Sequence, residues 1–523
     1  MGADNLPRRF RRLRDLVYPP PGTARLQNAK NLVGSWVAIS CPELNTVALG
    51  GQLDYLTALT TASDDSAATA NYLSSQRVRL YVTPNKGQLG QYVALSYCWG
   101  GPQTFSLEQH NLEKLQHEAT HASALPQTLQ DAILVTHHLG FEYLWIDALC
   151  IIQDDADDKL REIGEMQNTY QNAAVTIAAA TASSVNQGFL NPPTQCSRTY
   201  PSCSVPVTLT NGSGSEQGTL TISPQHAQNT KDFPINKRGW TYQEALLSPR
   251  LLVFGDLEPF LRCQTKEATL PAPTCVSYDA RAIQPPRFAN EMQSGPGYNV
   301  LDEDGASVDL RLEFQWPRLV EQYTQRELGL WEDRPHAIAG VVGALARITG
   351  DACRYGVWRS CPVACLLWAV DSEGGSARIA GVPTWSWMSV TAPVELNRVQ
   401  IMKEPEAAVE WEEGADLAAK RLCISCRVLG EEEALSAPPG GSVPLLDWDL
   451  DVGEVGPMPD GDSRRPAVSE PLYFLVIARQ VDQKLFAFVA TSSGDGVYHR
   501  RGIAELKSTA AITSKPRQRI SLE

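Results

Sequence analysis

The sequence predicts an α/β protein: a parallel sheet with helices on both faces, followed by a C-terminal region of mixed helices and strands. Three observations carry this. Short apolar runs bounded by turn residues alternate with helical periodicity between Tyr92 and Phe254. The runs are continuous rather than alternating, as in strands buried on both faces. The chain has 523 residues and is 43% hydrophobic, enough for more than one domain and a large core.

The elements follow in order. Residues 1–75 read as a loop-rich extension, with Pro19-Pro20-Pro21 and Asp64-Asp65-Ser66 as breakers. Arg77–Val82 alternates like a strand and stops at the turn signal Pro84-Asn85-Lys86-Gly87. Tyr92–Tyr97 is a buried strand ending before Gly100-Gly101-Pro102. Leu129, Ile133, Thr136 and Leu139 share one helical face, and Gly140 is placed to cap it. Phe141–Asp147 is a short apolar strand. Leu160, Ile163, Met166 and Tyr170 mark a second helix, with Asp154, Asp155, Asp157 and Asp158 at its N-terminus, where the helix dipole favours acids. Ala174–Ala180 is a further buried strand, followed by a Ser/Thr/Pro/Gly-rich insertion over 181–237. Trp240–Leu247 reads as a helix and Leu251–Phe254 as a strand stopped by Gly255. These elements delimit a domain over 76–255, a Pro/Asp-rich linker over 256–310 and a C-terminal α+β region over 311–523. In that last region 311–370 reads as helical, 405–470 as acidic and loop-rich, and Leu472–Ala478 with Lys484–Thr491 as two strands of a small β element.

Composition narrows function. A net charge of −14 argues against a general nucleic-acid binder, which needs clustered positive charge. The one basic run, Arg8 to Arg14, reads as a solvated arm. No stretch approaches the ~20 apolar residues of a membrane span, and no secretory signal opens the chain. The twelve cysteines are scattered, which suits reduced thiols and a cytoplasmic location. Cys423-x-x-Cys426 sits in an alternating strand without a second ligand pair, so no metal is expected.

Three separated motifs carry the functional signal. They are Tyr92-Val-Ala-Leu-Ser-Tyr-Cys-Trp-Gly100, Leu144-Trp-Ile-Asp-Ala-Leu-Cys-Ile-Ile-Gln153 and Arg238-Gly-Trp-Thr-Tyr-Gln-Glu244. In this order they resemble the heterokaryon incompatibility (HET) domain of filamentous fungi. Leu125-Pro-Gln-Thr128 with Asp131-Ala132, Glu165-Met166, Tyr170, and Pro383-Thr-Trp-Ser-Trp387 resemble flanking segments of the same family. The resemblance implies a role in non-self recognition and regulated cell death, acting through protein partners or self-assembly. HET domains also resemble TIR domains, which are flavodoxin-like α/β modules, some of which cleave NAD with one glutamate in a Trp-Cys-x-x-Glu pattern. Trp240-Thr-Tyr-Gln-Glu244 has that spacing, with Thr241 in place of the cysteine. NAD is then a substrate, and no cofactor is required. Two other readings stand beside this one: a non-catalytic interaction module, and an enzyme or accessory protein of a fungal secondary-metabolite pathway.

The candidate catalytic residues are Glu244 and Asp147. A carboxylate beside a departing nicotinamide stabilises the oxocarbenium-like sugar. Glu244 reads equally as a partner of Arg238 that holds the motif together, and Asp147 as a buried acid accepting backbone N–H bonds. Ser96, Tyr97, Trp99, Gly100 and Trp240 are the candidate ligand-binding residues, with the tryptophans reading alternatively as core. Cys98 and Cys150 lie at strand ends with no base brought near by the sequence.

Overall fold

The computed structural model describes residues 76–82, 91–190, 233–255, 312–370, 376–396, 402–411, 419–435 and 470–523, with short segments at 38–40, 203–211, 214–222, 259–263, 299–301, 307–309 and 445–448. The chain divides into two compact units, Met1–Pro286 and Arg287–Glu523. The N-terminal basic run lies outside the described residues, as does most of the 256–310 segment.

The first unit is built on a five-stranded sheet. Its strands are β1 (Tyr92–Ser96), β2 (Tyr143–Trp145), β3 (Val175–Ala179), β4 (Arg250–Phe254) and β5 (Phe260–Cys263). Their order in space is β5-β4-β3-β1-β2. The first four are parallel, and β5 joins β4 antiparallel as an edge. The helices are α1 (Gln127–His138), the single turn α2 (Asp147–Cys150), α3 (Ala156–Asn172) and α4 (Trp240–Leu247).

Each strand turns alternate side chains to opposite faces, and both faces are covered. Val93, Leu95, Val175, Ile177, Leu252 and Phe254 pack with Leu129, Ala132 and Val135 of α1. Ala178, Ala180, Leu251 and Val253 pack with Phe233, Ile235 and Ala245 of α4. Helix α3 lies against α4. Its first turn is capped by Asp155, which accepts from the backbone N–H of Asp157 and Asp158 at 3.0 Å. Gly140 follows α1 at φ +84°, the left-handed position that glycine fills without strain.

Several expectations change. Arg77–Val82 is a strand only over Arg77–Val78, paired with Thr120–His121. The sheet is not wholly parallel, because β5 returns beside β4. Leu160 is exposed, so the buried face of α3 runs through Met166 and Tyr170. The insertion holds a hairpin, Cys203–Asn211 with Gly214–Ile222, joined at its edge by Ala38–Ser40. Val205, Val207, Leu209 and Leu220 alternate there as a strand requires; the surrounding Ser, Thr and Gly hid that signal.

Asp131 ties the loop after β3 to α1. Its Oδ2 accepts from the backbone N–H of Phe189 at 2.7 Å and of Leu190 at 3.0 Å, and its Oδ1 from Gln127 Nε2 at 2.8 Å. Burial raises the Asp131 pKa, and those three bonds oppose the rise.

In the second unit, α5 (Leu312–Thr324) and α6 (His336–Thr349) precede a β system. Its strands are β6 (Met402–Pro405), β7 (Ala408–Glu410), β8 (Leu422–Gly430), β9 (Leu445–Trp448), β10 (Leu472–Gln480), β11 (Leu485–Gly494), β12 (Val497–Leu506) and β13 (Gln518–Leu522). The pairings β8-β10-β11-β12-β13-β8 return to their start, so five strands close a barrel. The small two-strand element expected near the C-terminus is therefore larger. Strand β12 was not legible because Arg500 breaks its apolar pattern; it is fully buried, donates to the carbonyls of Leu366 and Trp368, and stacks on Trp368. Cys423 and Cys426 lie in β8, and no metal-binding group forms among the described residues.

Asp131→Ala should destabilise the chain by roughly 2–6 kcal/mol, since two buried N–H donors lose their acceptor at about 1–3 kcal/mol each. Chemical denaturation checks the magnitude. Faster hydrogen exchange at Phe189 and Leu190 checks the location.

Candidate functional site

Strand β1 is central and has no solvent on either face: Val93, Ala94 and Leu95 are wholly buried. Its polar residues therefore gather at its carboxyl end. Ser96 closes the strand, and Tyr97 and Trp99 follow it. Asp147 comes two residues after β2 and opens α2. These positions lie at the carboxyl edge of the sheet, where open α/β proteins bind ligands.

Asp147 is fixed from two sides. Trp99 Nε1 donates to its Oδ2 at 2.8 Å, and the Ala148 backbone N–H donates to its Oδ1 at 2.6 Å. Tyr97 is buried against the same carboxyl, and its hydroxyl lacks a hydrogen bond of normal geometry. Burial raises the Asp147 pKa, against the opposing influence of Trp99, Ala148, Tyr97 and the Arg238 guanidinium.

Glu244 reaches the same cluster from the middle of α4. It is 4% exposed. Ser96 and Tyr170 lie beside its carboxyl, and its Oε2 is buried without a hydrogen-bond partner. Burial, assisted by the nearby Asp147 charge, pushes its pKa from 4.5 up to about 7; Ser96, Arg238 and Tyr170 act against the rise. Tyr170 also donates to the Leu95 carbonyl at 3.2 Å and packs edge-on against Trp145.

Thus Ser96, Tyr97, Trp99, Asp147 and Glu244 come together. Gly100 and Trp240 flank these residues in the sequence, Gly100 in the loop after β1 and Trp240 in α4. Gly100 is exposed at φ +73°, and a Cβ there would lie 2.2 Å from the Ser184 Cβ, so it allows two loops to touch. Trp240 is half-buried in the first turn of α4, one helical turn before Glu244. The Thr241 hydroxyl lies within hydrogen-bond reach of the carbonyls of Ile235 and Arg238 and so ties the turn that precedes α4. Cys98 and Cys150 are poor nucleophiles here, since burial pushes their thiols up to about 11 and about 12. Arg238 reads from the sequence as a partner of Glu244, whereas Tyr170 reads only as a core residue. The spatial relation of Tyr170 to Glu244 has no linear signature. Glu165 is bonded by Asn168, and Arg161 by Asp158 and Glu162.

Residues 92–244 match the family model described as Heterokaryon incompatibility protein (HET). The chain carries a HET domain. The match spans all three motifs, β1 to β3 and α4 as far as Glu244. No curated protein matches the chain, and no solved structure does. No helix among the described residues is long and apolar enough to cross a membrane.

The raised Glu244 pKa fixes a pH dependence. The folded state holds the proton more tightly than the unfolded chain. Its contribution to stability is therefore fully present below pH 4.5 and lost as pH rises through about 7. Glu244→Gln, which removes the charge, should flatten this fall and stabilise the protein at pH 8 by about 1–3 kcal/mol. Melting temperatures across pH 4–8 for both proteins provide the measurement, and equal slopes would reject the assignment.

Proposed function

We propose that this chain is a HET-type effector of fungal non-self recognition and regulated cell death, and that its HET domain cleaves the nicotinamide–ribose bond of NAD through Glu244. The observation that carries the reading is a buried carboxylate with an unpartnered oxygen, beside a second carboxylate, at the carboxyl edge of a parallel sheet. Strongly perturbed acids in such positions cluster at functional sites. The strand order 2-1-3-4-5 is that of flavodoxin-like sheets, which supports kinship with TIR modules, although β5 is antiparallel.

In the reaction, Glu244 lies against the anomeric carbon. As the bond to nicotinamide breaks, positive charge grows on the ribosyl ring, and the Glu244 carboxylate stabilises it. Asp147 is held by Trp99 and Ala148 and keeps lone pairs for ribose hydroxyls. Trp240, one turn before Glu244, offers a ring for nicotinamide. Ser96 and Tyr97 are buried, so a dinucleotide enters only when the motif loops part. Self-assembly or a protein partner supplies that opening.

The same closure favours a second reading, in which the acids hold an interaction module together and no chemistry occurs. The two separate in one experiment. Purified protein, dilute and concentrated, is incubated with NAD and nicotinamide release is followed. The enzyme reading expects turnover that Glu244→Gln lowers by about a hundred- to a thousandfold, the usual cost of removing an electrostatic stabiliser. Asp147→Asn should raise KM more than it lowers kcat. Absence of release from concentrated wild type rejects the enzyme and leaves the module.

A further inference from the structure

The second unit holds two thiols in contact. The short hairpin Cys353–Arg354 with Val357–Trp358 leads into a single helical turn, α7 (Pro362–Leu366). Cys361 is its N-cap residue, and Cys365 lies four positions on, over the same face. Their sulfurs are 3.9 Å apart. The backbone holds them there. Cys365 N–H donates to the Cys361 carbonyl at 3.2 Å, and Trp358 N–H donates to the Cys365 sulfur at 3.5 Å. A disulfide needs about 2.05 Å between sulfurs, so side-chain rotation has less than 2 Å to close. The two thiols are not equivalent. Cys361 is 8% exposed and follows the exposed Arg359 and Ser360, whereas Cys365 is 2% exposed. Burial and the adjacent Cys361 hold the Cys365 thiol well above the usual range, so it keeps its proton.

We propose that Cys361 and Cys365 are a redox-modification site: hydrogen peroxide oxidises Cys361, and Cys365 converts the product to a disulfide. The chemistry needs neither NAD nor the carboxylates of the HET domain. Cys361, as the thiolate, attacks one peroxide oxygen. The O–O bond breaks, and Cys361 becomes a sulfenic acid. The departing hydroxide takes up the proton that Cys361 gave to solvent and leaves as water. The Cys365 sulfur then attacks the Cys361 sulfur. The S–S bond forms as the S–O bond breaks, and the Cys365 proton goes to the leaving hydroxide, giving a second water. Two thiols and one peroxide thus yield one disulfide and two waters, with two electrons passing from sulfur to oxygen. A dithiol reductant reverses the bond by exchange. The disulfide ties the end of α7 to its start. Leu366 follows Cys365, and its carbonyl accepts from Arg500 of β12 at 2.9 Å, so the modification sits one residue from a contact that holds the barrel.

The test uses the full chain, fully reduced, diluted and treated with hydrogen peroxide. Remaining thiols are alkylated in denaturant, and the tryptic peptide Ser360–Arg378, which carries both cysteines, is weighed by mass spectrometry. Wild type should lose both alkyl groups together, with the peptide lighter by two hydrogens, and dithiothreitol should restore both. Cys98 and Cys150 should stay alkylated at the same dose. Two variants fix the order of events. In Cys365→Ser the sulfenic acid has no thiol to capture it, so dimedone should label Cys361, which it does not label in wild type. In Cys361→Ser, Cys365 should remain an unmodified thiol. The wild-type measurement requires neither variant to fold. Retention of both alkyl groups in wild type, a disulfide from either cysteine to Cys353 instead, equal oxidation of Cys98 and Cys150, or dimedone labelling of Cys365 in Cys361→Ser overturns the inference.

Discussion

Burial of β1 on both faces is the constraint on which the HET domain depends. Between β2 and β3, and under helices on either side, its residues Val93 to Leu95 have no route to water. A polar atom left unsatisfied in such an interior costs several times a typical hydrogen bond's net gain, and β1 carries its polar groups at its ends. Ser96 and the residues after it therefore take up what the other elements bring to that edge. Asp147 arrives from β2 and Glu244 from α4, and the two acids lie near one another because both connections return to the same edge.

That convergence leaves the acids under opposing influences. Desolvation and mutual repulsion favour protonation, while Arg238, Trp99, Ser96 and Tyr170 favour charge. For Glu244 the balance falls near neutrality. A purely structural acid is ordinarily satisfied at both oxygens, as Asp131 is by Phe189, Leu190 and Gln127. Glu244 is not. The contrast between these two buried carboxyls in one domain separates a strut from a reactive candidate more sharply than burial does.

Much of this was legible in the sequence, and the reason is local. The continuous apolar runs at Tyr92–Tyr97, Ala174–Ala180 and Leu251–Phe254 gave strands close to their observed limits, because a doubly buried strand leaves little freedom of composition. Helix α4 matched over Trp240–Leu247. The misses have physical causes. Strand β5 is an edge whose pattern is too short to stand out. Strand β12 holds a buried arginine that donates to the Leu366 carbonyl and stacks on an indole face, and no reading of polarity finds that. Within the site, Ser96, Trp99, Asp147 and Glu244 followed from motif positions at element ends. The Arg238–Glu244 pairing was also legible within one motif; the coupling of Tyr170 to Glu244 was not, since it depends on how α3 and α4 pack.

Leu190 and Phe233, on either side of the insertion, are both buried. Near those points Ile235 N–H donates to the Ala180 carbonyl at 3.4 Å, so the end of β3 and the re-entering chain are held together whatever lies between them. Loop-closure entropy rises only by about 0.6 kcal/mol for each doubling of length. The domain is therefore nearly indifferent to how much sequence is threaded through this gap. The gap is the natural place to graft a tag or a sensor without disturbing the carboxylates.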